Sequence, residues 1–164
     1  MIPVITLDDG EMQVCRMVAQ MRHSAARLAN VTDAKVGNQS GYETDLIGMV
    51  AEVAFSKWRN TYPDLSIKPR SGGVDAIVNG RKVEVKATTR KNGRLLATLD
   101  KADKDGAEYY ALAIVDGNVV TFPGYATARE LLRKENIRDL GHGSGYAMEQ
   151  SELHEFSDHL AHSA

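Results

Sequence analysis

Two carboxylates and a lysine, Asp75, Glu84 and Lys86, lie close in a chain whose local pattern brings them onto one surface. Residues 74–88 read V-D-A-I-V-N-G-R-K-V-E-V-K-A-T, the pattern of a β-hairpin. Asn79-Gly80 is the preferred pair for a two-residue type I′ turn, because both residues tolerate φ > 0. With those two at the tip, Val78 faces Arg81, Ile77 faces Lys82, Ala76 faces Val83 and Asp75 faces Glu84. Side chains alternate along a strand, so Val74, Ala76, Val78, Val83, Val85 and Ala87 share one apolar face. Asp75, Glu84 and Lys86 share the other.

Directly paired residues have Cβ atoms about 4.5–5.5 Å apart, and like charges so placed repel. Two such carboxylates want a cation between them, and a hard divalent ion with oxygen ligands and retained waters meets that demand. Lys86 lies about 6.6–7 Å beyond Glu84 along the strand, within reach of a metal-bound water or a phosphate oxygen. The chemistry outlined is metal-assisted hydrolysis of a phosphodiester.

A bare Glu-x-Lys on a solvated strand face is common and says little. Three features set this one apart. Asp75 falls in register opposite Glu84, the hairpin's other face is cleanly apolar, and a helix carrying Glu52 lies just upstream. Glu52 stands between Ala51 and Val53 in an apolar run, an uncomfortable place for a charge unless something pairs with it. At a helix edge it would merely reach solvent; beside the hairpin it would complete an acidic cluster.

The positioning elements are legible on either side. Residues 2–7 suit a short strand or an irregular lead-in. A helix over about 10–30 follows, capped by Asp8 or Asp9, with Val14, Val18, Met21, Ala25 and Leu28 at helical spacing. Residues 32–44 are polar and contain glycine, the composition of a loop. A second helix over about 44–60 turns Leu46, Val50, Val53, Ala54 and Phe55 inward. After Tyr62-Pro63-Asp64, residues 65–68 suit a first sheet strand, and residues 70–73 a flexible approach to Asp75. A polar link over 90–94 follows the hairpin. Residues 109–115 read as a buried strand, turned by Asp116-Gly117 into a strand over 119–122. A helix over 127–135 and a less regular tail over 141–164 complete the chain. The glycine-rich run at 141–145 lacks the Lys-Ser/Thr ending of a phosphate loop and reads as a turn. His154, His159 and His162 complete no zinc spacing and read as an exposed tail. Trp58, Tyr109 and Tyr110 suit packing better than base stacking.

At 164 residues the chain suits one domain. Its composition is ordinary for a soluble globular protein, without repeats or a long apolar run, so no membrane partner is expected. The single cysteine, Cys15, excludes a disulfide framework and reads as a small core residue. With no leader-like N-terminus, these features suit the cytoplasm. Net charge is −2, yet residues 57–94 hold ten Lys/Arg against three acids. That local positive field, around the carboxylate pair, suits a polyanion. Arg70, Lys82, Thr88, Arg90, Lys91 and Arg94 are the candidate phosphate contacts.

Asp75, the Glu84-Val85-Lys86 triplet after eight intervening residues, and Glu52 on the preceding helix together resemble the PD-(D/E)xK nuclease superfamily. The strand–hairpin–helix pattern over 109–133 also resembles its small stand-alone members, including those of phages and prophages. Val74 replaces the often-present proline of the motif. The resemblance covers about residues 44–133 and implies an α/β (α+β) restriction-endonuclease-like core, a mixed central sheet flanked by helices. Residues 1–43 would form a helical extension and 134–164 a C-terminal segment. It implies a Mg²⁺-dependent DNA nuclease, with Mn²⁺ a substitute, endonucleolytic action the first expectation, and, if the copy is phage-encoded, action in the host cytoplasm. Catalytic roles fall to Glu52, Asp75, Glu84 and Lys86. Asp75, Glu84 and the Val85 carbonyl would hold the metal, with Glu52 in or beside that shell. RNA as substrate, exonucleolytic action and a homodimer stay open, as does a catalytically silent nucleic-acid-binding or assembly module on the same fold.

Overall fold

The computed structural model describes residues 1–29, 40–67, 74–100 and 106–156. Both long helices begin at capping boxes. Asp8 accepts from the Glu11 N–H at 2.8 Å while Glu11 accepts from the Asp8 N–H at 2.7 Å, opening α1 (Asp9–Leu28). Ser40 and Glu43 make the same exchange and open α2 (Gly41–Arg59), three residues ahead of the expected start. Asn60, left-handed at φ 52°, closes α2.

A five-stranded mixed sheet forms the centre. Its strands are β1 (Val4–Thr6), β2 (Ala76–Val78), β3 (Arg81–Thr88), β5 (Tyr109–Asp116) and β6 (Val119–Thr127), in the order β1-β6-β5-β3-β2. β3 and β5 run parallel, and the other neighbours are antiparallel. The connection between β3 and β5 carries β4 (Leu95–Thr98). Pro123, which has no N–H to give, lies in β6 past its pairing with β1 and opposite a register shift in β5.

Two cores cover the two faces. Val83 and Val85, with Ala111, Ala113, Val120 and Phe122, face α1 and α2 through Cys15, Val18, Val50, Ala54 and Phe55. Tyr110, Leu112 and Ala126 point the other way, onto Leu95, Leu131, Tyr146 and Met148. Cys15 is fully buried, as expected of a core residue, and burial pushes its thiol up to about 11. Trp58 stacks on Phe122 and Tyr110 is buried, in keeping with packing roles. Among the described residues no helix is long and apolar enough to cross a membrane.

Three expectations need correction. Residues 61–67 form no strand, because the Ser66 N–H turns back to Asp64 at 2.9 Å and the Asp64 and Ser66 carbonyls accept from Arg22. The helix after β6 is a single turn, α3 (Ala128–Leu131): Asn136 donates to the carbonyls of Glu130 and Leu131, and a 3-10 turn, Lys134–Asn136, follows. From residue 137 on, the described chain is more regular than its composition suggests. There β7 (Ile137–Asp139) and β8 (Ser144–Met148) join β4 in a second sheet, in the order β4-β8-β7. The turn expected at the glycine-rich run links β7 to β8, with Gly141 and Gly143 at positive φ.

Candidate active site

β3 carries the site. Asn79 and Gly80 adopt φ of 51° and 75°, and the ladder pairs Val78 with Arg81, Ile77 with Lys82 and Ala76 with Val83, the register set by the turn. The ladder stops there. Asp75 does not continue it opposite Glu84: the chain bends, and the Asp75 N–H donates to the Val83 carbonyl at 3.1 Å. Val85, two residues on, presents its backbone to the same edge as Val83, beyond the end of β2. The Asp75 carboxylate fills that place, accepting from the Val85 N–H at 2.7 Å. The aspartate therefore replaces a ladder bond at the open edge of the sheet, beside the Val85 backbone.

Glu84 and Lys86 lie on the face of β3 shared with Tyr110 and Leu112. Glu84 is only 5% exposed, and its Oε1 accepts from the Lys86 Nζ at 2.6 Å. Glu52, 17% exposed on α2, is met by the Arg22 guanidinium of α1 at 3.2 Å. The same guanidinium donates to the Ser66 carbonyl at 3.1 Å and to the Asp64 carbonyl at 2.5 Å. Arg22 thus ties α1, α2 and the segment leading to Asp75 together. Sequence reasoning missed it, since one arginine on an amphipathic helix carries no signal of its partner.

The three carboxylates feel one another. Burial pushes the Asp75 carboxyl well above the ordinary carboxylate range, the charges of Glu52 and Glu84 push it further, and the Val85 N–H and Lys86 only partly oppose them. Burial also raises Glu52, opposed by Arg22 and reinforced by Glu84 and Asp64. Asp75 opens onto a groove of about 550 Å³ lined by residues 61–66 and 74–77, among them Tyr62, Asp64 and Ile77.

A divalent cation has to be tested against these residues. Among the described residues, no three His, Cys, Asp or Glu side chains are gathered tightly enough to hold an ion as they stand. Each is bonded elsewhere as it stands: Glu84 to Lys86, Glu52 to Arg22 and Asp75 to the Val85 N–H. In donor chemistry the set fits a hard ion, since oxygen ligands of like charge already repel at one place. Asp75, Glu84 and the Val85 carbonyl are the groups that would hold it, with Glu52 within electrostatic reach of both carboxylates.

The candidate phosphate contacts separate into two groups. Lys82 is exposed on the face of β3 that bears Glu84, but its backbone N–H and the neighbouring Arg81 guanidinium both donate to Glu108. Thr88, Arg90, Lys91 and Arg94 lie at the other end of β3. There Thr88 accepts from the Arg90 N–H at 3.2 Å and Arg94 stands 3.8 Å from Glu149. Arg70, His159 and His162 lie outside the described residues. His154 is half exposed and bonds Glu130 at 2.8 Å, with no metal-binding partners gathered about it among the described residues. Comparison with family models, with curated proteins and with solved structures finds no match to this chain.

Proposed function

We propose that the chain is a Mg²⁺-dependent nuclease of the PD-(D/E)xK type, hydrolysing phosphodiester bonds in DNA at the Asp75 edge of the main sheet. The observation that carries this is the gathering of three carboxylates, Glu84 buried and Glu52 and Asp75 partly buried, with the charges of Glu52 and Glu84 acting on Asp75 and only partly opposed there. A folding chain gains nothing by holding such charges together; a site for a divalent ion does. The strand that ends early, the aspartate bent onto the Val85 N–H, and the mixed sheet flanked by α2 support a restriction-endonuclease-like core.

In the proposed reaction water adds to phosphorus, one P–O ester bond breaks, and the leaving oxygen takes up a proton. When bound, the ion supplies Lewis acidity at the scissile phosphate and a lowered pKa for the attacking water. Asp75 and Glu84 would hold it. The Lys86 ammonium, placed beside Glu84, donates to the water or to a phosphate oxygen and offsets charge as it builds. Glu52, fixed by Arg22, orients solvent or a ligand at the rim. Thr88 and the exposed cations beyond it meet the flanking backbone.

A second possibility, the catalytically silent nucleic-acid-binding module, draws on one observation: the Lys86–Glu84 and Arg22–Glu52 pairs already neutralise two of the three carboxylates. In that case the pairs are the finished state and Mg²⁺ leaves stability unchanged. The test is incubation with supercoiled, linear, single-stranded and four-way-junction DNA in Mg²⁺ or EDTA. Mg²⁺-dependent cleavage of at least one substrate is expected. Intact DNA throughout, with an unchanged melting temperature in Mg²⁺, would favour the silent module.

A further inference from the structure

The turn after β3 is held in place more firmly than a surface loop requires. The Gly93 N–H closes it onto the Arg90 carbonyl at 2.9 Å, and the Arg90 N–H donates to the Thr88 hydroxyl at 3.2 Å. From the C-terminal side, the Gln150 amide nitrogen donates to two carbonyls of this turn, Lys91 and Gly93, both at 2.9 Å. Gln150 is itself fixed. It opens the 3-10 turn Gln150–Glu152, whose capping box joins the Glu149 N–H to Glu152 at 2.7 Å. At Gly93 a Cβ would fall 2.4 Å from Thr88 Cγ2 and 2.9 Å from the Arg90 carbonyl, so only glycine lets the turn close against Thr88.

The result is a buried Gly93 under an exposed rim of Arg90, Lys91 and Asn92. Thr88 shares its face of β3 with Glu84 and Lys86, and four residues of strand place it about 13 Å from Glu84. The cations therefore follow Glu84 and Lys86 along β3, on a backbone held by the Gln150 and Gly93 bonds. Arg81 at the opposite end of β3 differs, because its guanidinium is committed to Glu108 at 2.7 Å.

We propose that Gln150 is a positioning residue for nucleic acid: it holds residues 90–93 as a preformed clamp for the sugar-phosphate backbone flanking the site. This rests on the nucleic-acid reading of the site and adds how the substrate is held. It also gives the C-terminal segment a role in binding. Because Gln150 carries no charge, its role separates cleanly from that of the cations. Phosphate contacts set the slope of log K against log salt, at about 0.9 per neutralised phosphate on duplex DNA. Pre-organisation sets the affinity at any one salt concentration without touching that slope.

The experiment is titration of a fluorescently labelled DNA duplex with full-length protein in EDTA, over a series of salt concentrations. Gln150→Ala should weaken binding about five- to tenfold at every salt, with the slope unchanged. Arg90→Ala with Lys91→Ala should lower the slope by about 1.8. Gly93→Ala, which forces the turn off Thr88 from the other side, should reproduce the Gln150→Ala loss, and it serves as the test should Gln150→Ala prove unstable. Wild-type affinity in both Gln150→Ala and Gly93→Ala would overturn the clamp while leaving the nucleic-acid reading intact. Absence of salt-dependent binding by the wild type would instead defeat that reading itself.

Discussion

Glu130 and Asp75 are both carboxylates next to strand ends, and the fold treats them in opposite ways. Glu130 accepts from the Thr127 N–H at 2.9 Å and the Thr127 hydroxyl at 2.7 Å, and His154 adds a third bond at 2.8 Å. Those donors, the Thr127 backbone foremost, hold its carboxyl down to about 2. Asp75 receives the Val85 N–H but is partly buried within reach of the charges of Glu52 and Glu84, and its carboxyl is driven the other way. Glu130 completes a helix cap and stabilises the fold where it is ionised. Asp75 is ionised at a cost to the fold, and the proposed metal site would account for that difference.

The contrast can be broken first with metal. Mg²⁺ or Mn²⁺ at about 100 times its dissociation constant should stabilise the wild type by about 2.7 kcal/mol, seen as a raised melting temperature. Asp75→Ala and Glu84→Ala should lose that increment, whereas Glu130→Gln should keep it. An undiminished increment in Asp75→Ala would place the ion elsewhere.

The next effect is on pH dependence in EDTA. Folded Asp75 and Glu52 hold their protons to higher pH than the unfolded chain does, so the folded state binds more protons. Stability should therefore rise as pH falls from neutral towards the ordinary carboxylate range of about 4, and the gain should be complete below it. Asp75→Asn should raise the melting temperature at neutral pH and flatten this rise. Glu130 has the opposite sign. Its contribution is present above the unfolded value and is lost as pH falls towards about 2. A fall in melting temperature on Asp75→Asn at neutral pH would erase the distinction between the two sites.

Smaller effects sharpen the structural side. Thr127→Ala removes the cap of α3 and should cost about 1 kcal/mol in a denaturant titration. His154→Ala leaves that cap in place, and because the histidine is half exposed the loss should stay within about 1 kcal/mol. A larger loss for His154→Ala than for Thr127→Ala would mean that the C-terminal segment, rather than the capping box, holds Glu130.

Local chemistry decided what could be read from the residues alone. The hairpin register was legible because Asn79-Gly80 fixes the turn and valines alternate beside it. Glu52 stood out as a charge in an apolar run, and the structure brings it into the electrostatic reach of Asp75 and Glu84. The bend at Asp75 was not legible, since the side chain's bond to the Val85 N–H is chosen only once β2 has ended. Ser40 and Glu43 did carry the signal for the true start of α2, a capping box hidden within a polar stretch. The second sheet was harder. Every residue of β7 is exposed and the strand shows no alternation, so its pairing depends on β8 rather than on its own residues. Arg22 and Gln150 act on partners far along the chain, 30 residues away for Glu52 and 57 for Gly93, where spacing gives no guide.

Phosphodiester cleavage at the Asp75 edge of β3, as proposed, is decided by single-turnover cleavage of labelled duplex and branched DNA in saturating Mg²⁺, comparing wild type with Lys86→Ala. In the proposed site Lys86 would donate to water or phosphate and not bind the metal, so the variant should keep the Mg²⁺ increment in melting temperature. It should lose cleavage by about 10²–10⁴-fold. Equal rates in the two proteins would contradict the account and move the active site away from this hairpin.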